Sequence, residues 1–194
     1  MSRVRTFVGI PLSEDATSAF LRARDAYIAA DPTWAGEKWV PRENLHVTLK
    51  FIGGVEEDVL AELTEAISAA AKAHESFELF DAGLRAVPGQ TKARMLWGTF
   101  VDPEGCCGAL AAELDRACLR FGAQPEERTF KPHATLVRAR APRPIHEAAL
   151  DAARGELTVL PRAMSVPSIT VFSSRLTPQG PIYTALRECG LGAA

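Results

Sequence analysis

Apolar Val4, Phe7, Val8 and Ile10 are interspersed with polar residues in a segment that reads as a β-strand, and Pro11-Leu12-Ser13 then leads into a helix. Ser13 is its expected N-cap, with acidic residues in the first turn. Ala16, Phe20, Ala23, Tyr27 and Ala30 form one stripe along it, and Asp31-Pro32 ends it. Trp39-Val40 and His46 to Ile52 read as strand, the latter closed by Gly53-Gly54. A second helix is expected from Glu57 to about His74, burying Leu60, Leu63, Ile67 and Ala71. Phe77 to Val87 and Met95 to Val101 read as a hairpin around Pro88-Gly89-Gln90. A third helix runs from Glu104 to Phe121, with Cys107, Leu110, Leu114, Cys118 and Phe121 on one face and Gly122 as its stop. His133 to Ala139 is strand, Ala141-Pro142-Arg143-Pro144 a link, and His146 to Ala153 a short helix. Ser165 to Ser173 and Ile182 to Leu186 complete the pattern as strands, joined through Thr177-Pro178-Gln179-Gly180-Pro181.

Strands joined by tight turns, with helices not regularly interleaved, predict an α+β fold rather than a doubly wound parallel sheet. The order helix, irregular link, strand occurs twice. Each time the strand opens with one tetrapeptide pattern, His46-Val47-Thr48-Leu49 and His133-Ala134-Thr135-Leu136. The copies lie a little under half the chain apart. That spacing predicts two lobes of similar build, each presenting one His-x-Thr, within a single bilobal domain over residues 1–194.

Composition narrows the class. The chain has 194 residues, 47% hydrophobic and 24% charged, which excludes disordered, collagenous and disulfide-rich proteins. No apolar run approaches the roughly 18–20 residues of a membrane span, and Met1-Ser2-Arg3-Val4-Arg5 opens no signal region. Cys106, Cys107, Cys118 and Cys189 offer no CxxC pair and no zinc-type spacing. A soluble, cytoplasmic, monomeric protein with reduced thiols, no metal and no cofactor is expected. The net charge of −2 argues against a broad grip on nucleic acid, but it is unevenly spread. Residues 56–81 hold eight acidic residues against one lysine, whereas residues 120–143 hold six basic against two acidic. An anion site is expected near the second segment.

On a strand, residues i and i+2 share a face, so His46 with Thr48 and His133 with Thr135 each form a polar pair. Four histidines and thirteen threonines would give His-x-Thr roughly 0.3 times by chance. Packing alone accounts for one such strand far better than for two at repeat positions. Two imidazoles facing each other can hold one base and one acid at neutral pH. In-line displacement at phosphorus needs that pairing, and two hydroxyls can hydrogen-bond the non-bridging oxygens. Lys50 shares the face of His46 by alternation and is a candidate phosphate contact, a solvated strand-end lysine being the rival reading. Arg138 falls at the opposite parity and reaches the site only if the strand bulges. Of Phe7, Phe51 and Phe130, the first two are expected in the core and Phe130 is the freer stacking candidate. His74 and His146 have no companion motif and are expected to be structural or solvated.

The two motifs resemble the signature of the two-histidine (2H) phosphoesterase superfamily. The flanking segments Arg5 to Ile10, Trp39 to Gly53, Phe130 to Arg138 and Ser174 to Tyr183 are similar to its 2′-5′ RNA ligase / RNA 2′,3′-cyclic phosphodiesterase branch. The resemblance implies two antiparallel sheets with a cleft between them. It implies hydrolysis of RNA 2′,3′-cyclic phosphate ends to 2′-phosphomonoesters, with reversible 2′-5′ ligation as a side activity. His46 would protonate the leaving 3′ oxygen, His133 would activate water, and Thr48 and Thr135 would hold the phosphate. Ala134 departs from the larger aliphatic residue more usual in the family. Rival readings are a phosphodiesterase for small nucleotides such as ADP-ribose cyclic phosphate, and a non-catalytic RNA-end-binding module.

Overall fold

A computed structural model describes residues 3–157, 163–178 and 180–192. Among them, nine strands and four helices follow one another as β1 (Arg3–Pro11), α1 (Glu14–Ala30), β2 (Lys38–Trp39), β3 (His46–Glu56), α2 (Leu60–Lys72), β4 (Phe77–Val87), β5 (Ala93–Val101), α3 (Cys106–Cys118), β6 (His133–Arg143), α4 (Glu147–Gly155), β7 (Ala163–Val166), β8 (Ser168–Thr177) and β9 (Gly180–Gly190). The fold is α+β. These strands all pair antiparallel, in the order β7-β4-β5-β6-β3-β1-β8-β9, with β2 added beside β6.

Two halves are visible in that order. The β7-β4-β5-β6 half and the β3-β1-β8-β9 half meet at one registered pair, Val47 opposite Ala134. Beyond it β6 pairs with β2 instead, Trp39 opposite Val137. The His-x-Thr strands are therefore the two that touch at the junction. Helices α1 and α4 pack together against the first half, and α2 and α3 against the second. Each lobe borrows a helix, because α1 leaves β1 of one half to cover the other, and α3 leaves β5 to do the reverse. The buried apolar residues form one contiguous cluster through both halves.

Local signals explain most elements. The Ser13 hydroxyl accepts the Ala16 amide and caps α1. Gly122, at φ +84°, ends the turn that follows α3 in a conformation that favours glycine. Cys107, Leu110, Leu114 and Cys118 are buried as the helical spacing predicts. Several expectations shift. Strand β3 does not stop at Gly53-Gly54 but continues to Glu56, because a bulge at Ile52 and the positive φ of Gly53 let it bend and keep pairing with β1. Strand β6 runs on through Pro142 to Arg143, so most of the expected link is strand. The strand expected over Ser165–Ser173 breaks at Pro167 into β7 and β8, which pair with opposite halves. Ala30 is exposed at the end of α1, beyond the sheet that its stripe covers. Gln179 of the last turn lies outside the described residues.

The α1 seat depends on Gly98 of β5. A Cβ there would meet the Phe20 ring at 2.4 Å, and that ring is buried edge-on to Phe100. Gly98→Ala is expected to cost about 1–3 kcal/mol through overpacking. A urea unfolding midpoint unchanged from the parent protein would refute this packing role.

Candidate active site

His46 opens β3 and His133 opens β6, and the antiparallel contact of Val47 with Ala134 brings them together on one concave face. Val47 and Ala134 point the other way and are fully buried, as are their neighbours in the core. The small Ala134 sits where the strands from both halves converge, opposite Val47 on one side and Gly98 on the other. A cleft of about 1540 Å³ opens above the motifs, and His46, Thr48, His133, Thr135 and Arg138 all line it.

The two imidazoles are held alike. His46 Nδ1 lies 2.7 Å from the Asn44 carbonyl oxygen, and His133 Nδ1 lies 2.7 Å from the Lys131 carbonyl oxygen. A carbonyl only accepts, so Nδ1 carries the hydrogen in both rings and Nε2 is the atom that gains or loses a proton. His46 Nε2 is 3.0 Å from the Thr48 hydroxyl. Aromatic rings fix the orientations: Phe7 at 4.9 Å and Tyr183 edge-on at 5.3 Å against His46, and Trp97 stacked at 3.7 Å on His133. Gly9 of β1 gives His46 its room, since a Cβ there would lie 3.0 Å from the Val47 carbonyl oxygen and 3.1 Å from the His46 ring.

Strand irregularities decide which further residues reach the cleft. In β3 the pairing with β1 slips between Val8 opposite Lys50 and Gly9 opposite Thr48, leaving Leu49 as an extra residue. In β6 the pairing with β5 slips between Leu96 opposite Val137 and Trp97 opposite Thr135, leaving Leu136 extra. Both bulges fall three residues after the motif histidine. Each reverses the alternation beyond it.

Lys50, expected beside His46, is turned into the interior at 5% exposure, where it pairs with Asp115 of α3 and donates to the Gln124 carbonyl oxygen. Phe51, expected in the core, is turned out to 47% exposure and lines the cleft with the Arg5 guanidinium 4.6 Å from its ring centre. Arg138, expected to need a bulge, has one and lines the cleft. Phe7 is buried as expected. Phe130 is half-buried and borders a separate hollow rather than the cleft, so the structure does not bring it to Thr48 or Thr135. His74 and His146 do not line the cleft.

Arg5, Trp39, Asn44, Arg175 and Tyr183 line the cleft, although the sequence marked them only as parts of the family-like segments, and Trp97 joins through His133 without having been marked at all. Arg5 shares a strand face with Phe7 and Gly9, a signal that needs only β1 to be paired with β3. Trp97 is visible only through the β5–β6 register. Five basic side chains line the cleft (Arg5, Lys38, Arg138, Arg140 and Arg175) against Glu37 and Glu43. The Arg140 amide donates to the Glu37 carboxylate and, with Arg143 at 2.8 Å, holds that carboxyl below the usual range. The cleft is thus positive, with two of its cations from the basic segment 120–143 and three from elsewhere. Among the described residues no three His, Cys, Asp or Glu side chains are placed to share a metal ion, and no helix is long and apolar enough to cross a membrane.

Burial pushes both imidazoles below the ordinary value of 6.5. Their carbonyl partners oppose that shift, and the Arg138 charge adds to it at both rings. Lowering the pH from about 6.5 therefore protonates the unfolded chain first, and stability falls until the folded imidazoles also titrate. Arg138→Gln removes a positive charge from beside both rings, so both should titrate at higher pH. Imidazole proton titrations by NMR that do not move upward in that variant would contradict this electrostatic role.

The description "2′-5′ RNA ligase superfamily" belongs to a sequence profile that matches residues 18–176. The RNA 2′,3′-cyclic phosphodiesterase of Methanothermobacter thermautotrophicus is 34% identical over 94% of this chain and 96% of its own length. The protein of the same name from Aeropyrum pernix is 36% identical over 78% of this chain and 84% of its own. The crystal structure of TT0787 of Thermus thermophilus superposes with a TM-score of 0.77 at 25% identity, covering 97% of this chain and 98% of that one. Escherichia coli LigT complexed with 3′-AMP shares the fold with a TM-score of 0.71 at 23% identity, covering 97% and 98%. With the profile spanning both His-x-Thr strands, the chain belongs to the 2′-5′ RNA ligase superfamily.

Proposed function

We propose that this protein is an RNA 2′,3′-cyclic phosphodiesterase that opens a terminal cyclic phosphate to a 2′-phosphomonoester by acid–base catalysis between His46 and His133. The observation that carries the reading is the matched pair of imidazoles, each with Nδ1–H donated to a backbone carbonyl and Nε2 turned to one cleft. The phosphoryl group sits between them, its non-bridging oxygens hydrogen-bonded by the Thr48 and Thr135 hydroxyls, with Arg138 offsetting its charge. His133 borders the open hollow beside the cleft, which gives a nucleophile a route to its Nε2. His133 accepts the proton of the attacking water there. His46, enclosed by Phe7, Phe172 and Tyr183, donates its Nε2 proton to the leaving 3′ oxygen. Both proton transfers are supplied by side chains.

The cleft volume of about 1540 Å³ exceeds the roughly 300–1000 Å³ of small-ligand pockets. That size and the positive rim favour the end of an RNA strand over a small cyclic nucleotide. One chain supplies both histidines, so a monomer is a complete catalyst. Its thiols are all free, in keeping with a reducing cytoplasm.

His46→Ala and His133→Ala should each lower turnover of a cyclic-phosphate oligonucleotide by roughly 10²–10⁴, with the parent protein releasing only the 2′-phosphate. The rate against pH should be bell-shaped. Undiminished turnover in either variant, or a 3′-phosphate product, would overturn the assignment.

A further inference from the structure

On the far side of His133 the concave face of the sheet continues into a second hollow of about 630 Å³. Register sets its floor. Thr99 lies opposite His133 and Trp97 opposite Thr135, while Arg85 of β4 lies opposite Trp97. Directly opposed residues point to one side of a sheet, so these side chains share the face of the catalytic pair three strands deep. Phe130 and Lys131, in the segment entering β6, close one edge.

The wall has the chemistry of a nucleotide site. The half-buried Phe130 ring supplies stacking surface beside Trp97, one face of which is already taken by His133, and base–aromatic stacking tolerates any sequence. The Arg85 and Lys131 side chains are exposed, and neither is tied into an ion pair among the described residues. The carboxylate that lines the hollow, Asp102, accepts the Gly108 amide at 3.1 Å and is committed to the start of α3. The volume falls within the roughly 300–1000 Å³ range that holds one small ligand.

We infer that this hollow seats the first nucleotide of an incoming RNA strand with a free 5′-hydroxyl, making it the acceptor site for 2′-5′ ligation. The inference rests on the phosphodiesterase reading of the cleft. His133 borders both spaces, so one base serves water or a 5′-hydroxyl arriving from the same side. In the step, the 5′ oxygen bonds to phosphorus and the bond from phosphorus to the 3′ oxygen breaks. The hydroxyl proton passes to His133 Nε2, and the Nε2 proton of His46 passes to the 3′ oxygen. A 2′-5′ phosphodiester and a 3′-hydroxyl result, with one phosphorus–oxygen bond made for one broken and no further reactant. Arg85 is placed to meet the first internal phosphate of the acceptor.

The test mixes a donor oligonucleotide ending in a 2′,3′-cyclic phosphate with a 5′-hydroxyl dinucleotide acceptor and follows ligated and hydrolysed products separately. In Arg85→Glu, the acceptor concentration for half-maximal ligation should rise by about tenfold or more, the loss of one charged contact. Hydrolysis without acceptor should stay within about twofold of the parent, because the donor does not need that contact. Arg85→Lys should recover most of the ligation. Ligation and hydrolysis falling together, ligation unchanged by Arg85→Glu, or no ligated product from the parent at saturating acceptor would each overturn the acceptor site. A parent protein that leaves the cyclic phosphate intact would instead remove the phosphodiesterase reading beneath it.

Discussion

One antiparallel contact, Val47 against Ala134, holds the site together. Both side chains are buried beneath the sheet, so the residues on either side of each face the other way, into the cleft. Antiparallel alignment then sets His46 on the side of Thr135 and His133 on the side of Thr48. The contact is only one pair long. Past it β6 turns to β2 and β3 stays with β1, and the space between the diverging strands is the cleft. A longer ladder would close that space; a missing one would separate the two histidines. The exchange of α1 and α3 between the halves braces so short a seam.

Bulges at Leu49 and Leu136 are the second constraint, and they mark where sequence reading loses its hold. Strict alternation places Lys50 in the cleft and Phe51 and Arg138 outside it. One extra residue per strand reverses all three. Lys50 then enters the interior as a charge, and its burial is tolerable because Asp115 and the Gln124 carbonyl oxygen receive it. Nothing in β3 alone announces that partner, which lies 65 residues away on α3. The Leu after Thr is common to both motifs, and two copies bulging at the same offset make it a repeat feature rather than an accident of one strand.

What was legible in the sequence was local or repeated. Ser13 as a cap, Gly122 as a stop, the spacing along α3 and the twin His-x-Thr motifs are each decided by a few neighbouring residues. Contributions from distant strands were not. Trp97 stacks on His133 only because β5 pairs with β6 in a particular register, and Tyr183 meets His46 only because β8 and β9 extend the second half. The near-neutral total charge misled for a similar reason, since cations remote in sequence converge on the cleft while the acidic α2 packs with α3 away from it.

That convergence also bears on how the proposed acid–base pair could work with two depressed imidazoles. Burial and the Arg138 charge disfavour protonation of both rings. A cyclic phosphate brings a negative charge between them, offsets Arg138 and stabilises one imidazolium. On the proposed mechanism, arrival of substrate supplies the charge that lets a proton stay on His46, while His133, beside the second hollow, is left to accept one. The positive rim attracts the anion, and Arg138 disfavours an imidazolium until that anion offsets its charge. In that proposal acid and base are distinguished by the bound phosphate and by the side from which the nucleophile arrives, so two similarly held histidines can serve both roles.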